Sequence, residues 1–162
     1  MNIDWQLLTF DELSTSELYR VMGLRQNVFV VEQNCAYLDC DNKDQDSHHL
    51  LGRIKNSSST ELVAYLRILK PKSPTEASHI GRVVCSKSFR RNGLGKELVQ
   101  LGIAHCVTLF PGKPIKISAQ QYLVNFYTNL GFRISSTPYD EDGIPHVGMI
   151  YKQPSPNSSR LY

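Results

Sequence analysis

Arg90-Arg91-Asn92-Gly93-Leu94-Gly95-Lys96 lies between an apolar, β-branched run, Ile80 to Val84, and a good helix-forming run, Glu97 to Leu109. A strand that passes through a basic, glycine-containing turn into a helix restricts the fold around it, and it builds an anion site at the junction. The first turn of a helix has N–H groups with no intrahelical partner, and the helix dipole adds partial positive charge there. Glycines at 93 and 95 let the backbone approach a phosphate with no Cβ in the way. The stretch reads as the pyrophosphate cradle of a nucleotide-like cofactor.

Two familiar cradles fit poorly. A Walker A loop has Gly-x4-Gly-Lys followed by Ser or Thr, because that hydroxyl holds magnesium; here position 90 is Arg and position 97 is Glu. A dinucleotide fingerprint needs a third glycine, where this chain has Leu98, and it belongs in a first βα turn rather than past the middle of a chain. The remaining pattern, Arg/Gln-x-x-Gly-x-Gly/Ala after a strand, resembles the cofactor motif of the GNAT superfamily of N-acetyltransferases. A second segment makes the match specific: Asn125-Phe126-Tyr127-Thr128-Asn129-Leu130-Gly131-Phe132 follows the short strand Ile115 to Ala119. Further matches run through Leu24-Arg25-x2-Val28-Phe29-Val30-Val31-Glu32-Gln33, Asp39 and Asp41, Ile80 to Val84, and Glu141-Asp142-Gly143-Ile144-Pro145-His146. Together they resemble the ElaA-like branch of that superfamily, from about residue 3 to 152.

The order of elements supports an α+β domain. Ile3 to Phe10 reads as a strand, and Ser14-x-x-Glu17 is a capping box opening an amphipathic helix through Val28-Phe29. Asn34 to Ser47 is polar and acidic, hence a loop. His48 to Lys55 and Glu61 to Lys70 form a hairpin around the soft turn Asn56-Ser57-Ser58-Ser59. A strand at 77–86, the helix after Gly95, a strand at 115–119, a helix at 123–130 and strands near 132–137 and 146–152 complete the pattern. The domain spans 1–152, and 153–162 reads as a flexible tail. The resemblance implies a three-layer α/β/α arrangement: a central mixed, mostly antiparallel sheet of about seven strands, splayed between the strands at 80–86 and 115–119, with the cofactor in the split.

Composition narrows the function. The chain has 162 residues, one-domain length, and an ordinary 41% apolar and 20% charged content. No run approaches the ~20 apolar residues of a membrane span, and the N-terminus lacks the basic and apolar regions of a signal peptide, so a cytoplasmic location is expected and no membrane partner. Net charge is +3 with the 18 basic residues scattered, which argues against nucleic acid as a partner. Four cysteines, none in a Cys-x-x-Cys pair, are expected to stay reduced and without zinc. The acidic loop Asp39 to Asp46 puts Lys43 and Asp44 where a calcium loop needs an oxygen ligand and a glycine, so no metal is expected. The resemblance places this loop beside the acceptor site, where acidic groups would suit a cationic amine.

The resemblance also implies site residues. Main-chain groups of Val83, Val84 and Cys85 would meet the pantetheine arm and thioester of acetyl-CoA, a fixed N–H stabilising the oxyanion. The N–H groups of Arg91, Asn92, Gly93, Leu94, Gly95 and Lys96 would bind pyrophosphate, with charge from Arg90 and Arg91. Tyr127 is the candidate general acid for the leaving thiolate; Gln120, Asn125 and Phe126 are further cofactor contacts. The general base is open among Glu32, His49, Glu141, Asp142 and His146, with His146 placed to face the cleft. Arg25, Arg67 and Arg82 would pair with buried acids or bind an acceptor carboxylate.

The leading function is an acetyl-CoA-dependent N-acetyltransferase in which a primary amine of a small molecule or peptide attacks the thioester directly. A catalytically silent acetyl-CoA sensor, or an acyltransferase with another donor or an oxygen nucleophile, are the alternatives. A homodimer is compatible with the family.

Overall fold

The Ser14 capping box closes as its spacing predicts: the Glu17 N–H donates to Ser14 Oγ (3.2 Å) and the Ser14 N–H donates to Glu17 Oε2 (2.9 Å), starting helix α1, Thr15–Arg25. The computed structural model describes residues 2–55 and 59–154; Asn56, Ser57 and Ser58 of the expected turn, and the expected tail from 155 onward, lie outside the described residues. The helix does not continue in α form through Phe29. Gln26–Glu32 is a π-helix, in which the Gln33 and Cys35 N–H groups donate five residues back to the carbonyls of Val28 (3.2 Å) and Val30 (3.1 Å). Four β-branched or aromatic residues in a row, Val28 to Val31, crowd an α-helical turn, and a wider turn relieves them.

The described residues form eight strands where about seven were expected: β1 Asp4–Thr9, β2 Ser47–Lys55, β3 Thr60–Leu69, β4 Ser78–Cys85, β5 Ile115–Gln120, β6 Arg133–Ile134, β7 Tyr139–Glu141 and β8 Ile144–Tyr151. The additional one is β7, which the sequence presents as an acidic turn. It pairs with β8 through a two-residue turn, Asp142-Gly143, with φ of +52° and +81°, the left-handed pair a tight hairpin requires. The sheet order is β1-β2-β3-β4-β5-β8-β6, with β7 also against β8, and every pairing is antiparallel except β4 with β5.

Helix α2, Leu94–Leu109, and the short α3, Val124–Thr128, cover one face; α1 and the π-helix cover part of the other. Leu98, Val99, Ile103 and Cys106 of α2 pack with Leu66, Ile80 and Ile115, while Val21 and Val28 pack with Leu51, Tyr65 and Val84. α2 comes close because Gly102 has no side chain: a Cβ there would sit 2.7 Å from Leu66 Cδ2. Gln153, the first residue of the expected tail, is anchored, its amide accepting from the Gly112 N–H (2.8 Å) and donating to Phe110 O (3.0 Å).

The site is created where the sheet parts. β4 and β5 pair for two steps only, Ser78 with Ile115 and His79 with Lys116, and then diverge. Just beyond, β4 carries a bulge: Tyr65 opposes Val84 and Arg67 opposes Gly81, so Leu66 faces both Arg82 and Val83, with Arg82 at φ +53°. A bulge bends its strand. From Ile80 to Cys85 the β5-facing edge of β4 therefore has no strand partner among the described residues.

Candidate active site

The cradle turn sits at the open end of that split. Arg91 (φ +67°) and Gly93 (φ +80°) are left-handed, and Gly93 is the N-cap of α2 with no side chain capping it. Left-handed residues alternating along a turn swing successive N–H groups to one side and form an anion-binding nest. The N–H groups of residues 91–96 find no acceptor among the described residues. A Cβ on Gly93 would meet nothing within 4 Å, and one on Gly95 would come no closer than 3.9 Å to Cys85 Sγ and Phe126 Cζ. The room in front of the nest, its free donors and the exposed side chains of Arg91 and Lys96 fit a pyrophosphate. Arg90 is placed differently from its neighbours. Its Nε donates to Cys85 O (2.9 Å) and its Nη1 pairs with Glu32 (2.9 Å), so it fastens the cradle to the end of β4 and to the π-helix.

Along the split, Val83 and Cys85 lie on the α2 side of β4 and Val84 on the α1 side. Tyr127 projects from α3 with its ring wedged edge-on between Phe126 (centroids 5.0 Å) and Phe132 (5.9 Å). Its hydroxyl has no hydrogen-bond partner among the described residues. Burial pushes the phenol well above its ordinary pKa, with Tyr122 and the nearby Cys85 thiol adding to the effect. Burial likewise pushes the Cys85 thiol up to about 11, opposed by Arg90. Phe126 lines the same wall, whereas Asn125 is exposed one residue earlier.

On the opposite face the acidic loop does not offer free carboxylates. Arg25 donates to Asp39 (2.7 Å) and Asp44 (2.7 Å); Arg67 to Asp41 (2.7 Å) and Asp44 (2.9 Å); Arg82 to Asp39 (2.7 Å). Three arginines and three aspartates neutralise one another, and Arg25 is fully buried beneath them. The loop's charge thus holds it to the sheet instead of meeting a cationic amine, and the arginines are not available for an acceptor carboxylate. His49 belongs to the same interior. Its Nε2–H donates to Asp44 O (2.9 Å), its Nδ1 accepts from Tyr65 Oη (2.7 Å), and burial lowers its pKa, so it is a neutral structural residue.

The other side of the split is β5, β8 and β7. Ile117 and Ala119 point into the core, so Ser118 and Gln120 face away from α2; on β8, Val147 and Met149 point in and His146 faces out beside Gln120. His146 Nδ1–H donates to Ile144 O (2.7 Å), which leaves Nε2 as the proton-accepting nitrogen, 3.9 Å from Glu141 Oε2. Tyr127 and His146 therefore flank the sheet from opposite faces. The segment after the π-helix spans the gap: Gln120 Nε2 donates to Gln33 Oε1 (3.3 Å), and Cys35 Sγ donates to Asp142 O (3.3 Å). Glu32 turns to Arg90 and stands apart from His146. Ser118 and Tyr139 carry no mark in the sequence as site residues, and Gln33 is marked only as the end of a family-matched segment; the alternation of β5 is the signal that would have put Ser118 beside Gln120.

A family model described as an acetyltransferase (GNAT) domain matches residues 29–153. The protein ElaA of Escherichia coli K12 is 46% identical over 149 residues, which cover 91% of this chain and 95% of that relative. The crystal structure of Escherichia coli ElaA aligns with a TM-score of 0.86 at 44% identity, covering 93% of this chain and 100% of that one. An acyl-CoA N-acyltransferase from Pseudomonas aeruginosa aligns with a TM-score of 0.85 at 38% identity, covering 93% and 99%.

Proposed function

This chain belongs to the GNAT family of acetyltransferases, and from that premise we propose that it moves the acetyl group of acetyl-CoA to a primary amine by direct attack on the thioester. The observation that carries this reading is the unpaired edge of β4 from Ile80 to Cys85, running from the cradle at 91–96 to the free hydroxyl of Tyr127. An extended pantetheine arm lies against such an edge as an added strand does, and its thioester then stands in the gap of the sheet. Val83, Val84 and Cys85 supply main-chain contacts there, with an N–H for the carbonyl oxygen as negative charge develops on it.

The two faces divide the proton work. The acceptor enters from the α1 side mostly as an ammonium, gives one proton to His146 Nε2, and attacks the carbonyl carbon. As the C–N bond forms and the C–S bond breaks, Tyr127 on the α2 side donates its hydroxyl proton to the departing sulfur, and the second proton of the acylated nitrogen leaves through solvent to restore the phenol, so that the neutral amide and free thiol result. Tyr127 holds its proton at neutral pH as an ordinary phenol does, and burial favours that neutral form further. The Cys85 thiol, pushed up to about 11, stays protonated too, which supports direct transfer rather than an acyl-cysteine step. No metal enters the scheme, and a cytoplasmic location suits the cosubstrate.

The test is calorimetric titration of the purified chain with acetyl-CoA, with ATP and NADH as controls, followed by thiol release on addition of amines. Saturable binding of acetyl-CoA alone, with amine-dependent thiol release, is expected. Preference for ATP or NADH would overturn the cradle assignment; binding with no release on any amine would leave a sensor module.

A further inference from the structure

On the face away from α2, the mouth of the split carries one carboxylate that no lysine or arginine neutralises among the described residues. Glu141, at the end of β7, accepts from Ser118 Oγ across β8 (2.8 Å) through Oε2, and Oε1 has no partner. Ser118 is also bonded to the Tyr139 hydroxyl, and the Tyr139 ring stacks on the His146 imidazole with centroids 6.2 Å apart. Glu141 is thus fixed 3.9 Å from His146 Nε2, yet 48% of its side chain remains exposed.

The buried and half-buried arginines around the split are engaged elsewhere, Lys43 lies toward His79 and Arg20 toward Glu17. Arg25, Arg67 and Arg82 are matched by Asp39, Asp41 and Asp44, and Arg90 by Glu32. Lys116 shares the face of β5 with Ser118 but lies at the closed end of the split, beside His79. Among the described residues, a carboxylate on the acceptor would find no cation at the mouth and would face Glu141; an ammonium would find Glu141 and then His146. The contacts of Gln33 with Gln120 and of Cys35 with Asp142 bridge the mouth, so it is a slot, and a polypeptide laid across it would have to break both.

We infer that the acceptor is a small aliphatic amine with no carboxylate beside its amino group, selected by Glu141, with Ser118 and Tyr139 orienting that carboxylate. This rests on the acetyl-transfer reading above. Glu141 draws the ammonium to the mouth and hands it to His146, which takes the proton that must leave before attack.

The experiment compares amines with and without the carboxylate beside the amino group on the same skeleton, using the full chain and acetyl-CoA: agmatine against arginine and isoamylamine against leucine, with cadaverine and with free-N-terminal and lysine-containing peptides alongside. Binding of cadaverine to the CoA-loaded chain is measured in parallel by calorimetry. The carboxylate-free member is expected to have a kcat/KM at least about tenfold higher, and Glu141→Gln to raise its KM by about tenfold with kcat little changed, the equivalent of roughly 1.4 kcal/mol. The same variant should leave acetyl-CoA affinity and the melting temperature unaltered and narrow the preference over the amino acids. Equal or better use of the amino acid, turnover confined to peptides, a preference that survives Glu141→Gln, or cadaverine that is neither bound nor acetylated would each overturn the inference. Loss of acetyl-CoA binding in the wild-type chain would instead overturn the reading on which it rests, and the cofactor titration separates the two.

Discussion

Histidine chemistry in this protein is decided by what the second ring nitrogen meets. His49 has both nitrogens bonded inside the sheet and is fully buried, so it cannot exchange a proton with a substrate. His146 has one nitrogen bonded to a backbone carbonyl and the other facing a carboxylate at the mouth. The same logic separates the tyrosines: Tyr65 is bonded to His49, while Tyr127 has a hydroxyl with no protein partner in the described residues. Tyr127→Phe removes one oxygen from a ring held by Phe126 and Phe132, so the variant should fold with an unchanged melting temperature. Its kcat should fall about a hundredfold, the lower range for loss of a general acid, with the Kd for acetyl-CoA nearly constant. Stopped assays of thiol release and calorimetry measure both, and a wild-type kcat would remove Tyr127 from the mechanism.

Among the elements, the start of α2 does two tasks at once. Gly93 ends the turn in a left-handed conformation, so any side chain there adds strain of about 1 kcal/mol, while the open space in front of it is where a phosphate fits. Comparing Gly93→Asn with Gly93→Asp separates strain from charge, because both side chains have similar volume and tolerate that conformation. Gly93→Asn should lower stability slightly and weaken acetyl-CoA binding moderately. Gly93→Asp should weaken binding by about a further hundredfold, as like charges brought together at an interface do. Equal affinities for the two variants would mean that no phosphate lies there. The π-helix is the matching element on the acceptor side: its last residue, Glu32, reaches Arg90, and in the segment that follows Gln33 reaches Gln120 and Cys35 reaches Asp142.

At the scale of the whole molecule, the paired aspartates and arginines tie the 34–46 loop, α1, β3 and β4 into one unit. Burial alone would raise the Asp41 and Asp44 carboxyls, and the arginines more than offset it, leaving both below the ordinary value of 3.8. Burial also lowers His49 from 6.5. In each case the folded pKa is the lower one, so the stability contribution is present above the unfolded value and is lost as pH falls through the window down to the folded value. Urea midpoints should begin to drop below about pH 6.5 as the unfolded chain gains a proton at His49, and drop more steeply below about pH 4 as Asp41 and Asp44 follow. Asp44→Asn leaves Arg25 and Arg67 short of a buried partner and should cost about 3 kcal/mol at pH 7, with a shallower acid limb. A midpoint flat to pH 3, or a variant as stable as the wild type, would contradict this account. Local order along the chain was legible without coordinates: the capping box at Ser14, the glycine turn before α2 and the alternation of β5 are short-range, and short-range sterics and hydrogen bonding determine them. The bulge at Arg82 was not legible, because it depends on pairing with β3; β7 and the π-helix are local, but a three-residue strand beside a turn and a widened helical turn leave no pattern distinct from an acidic turn and an α-helix. For the site, the family-matched segments marked the cradle and Tyr127, whereas only the tertiary structure decided that Arg25, Arg67 and Arg82 would be neutralised and Glu141 left free. Pairing of charges depends on distances between residues 14 to 43 positions apart, and no local pattern in a sequence encodes those distances.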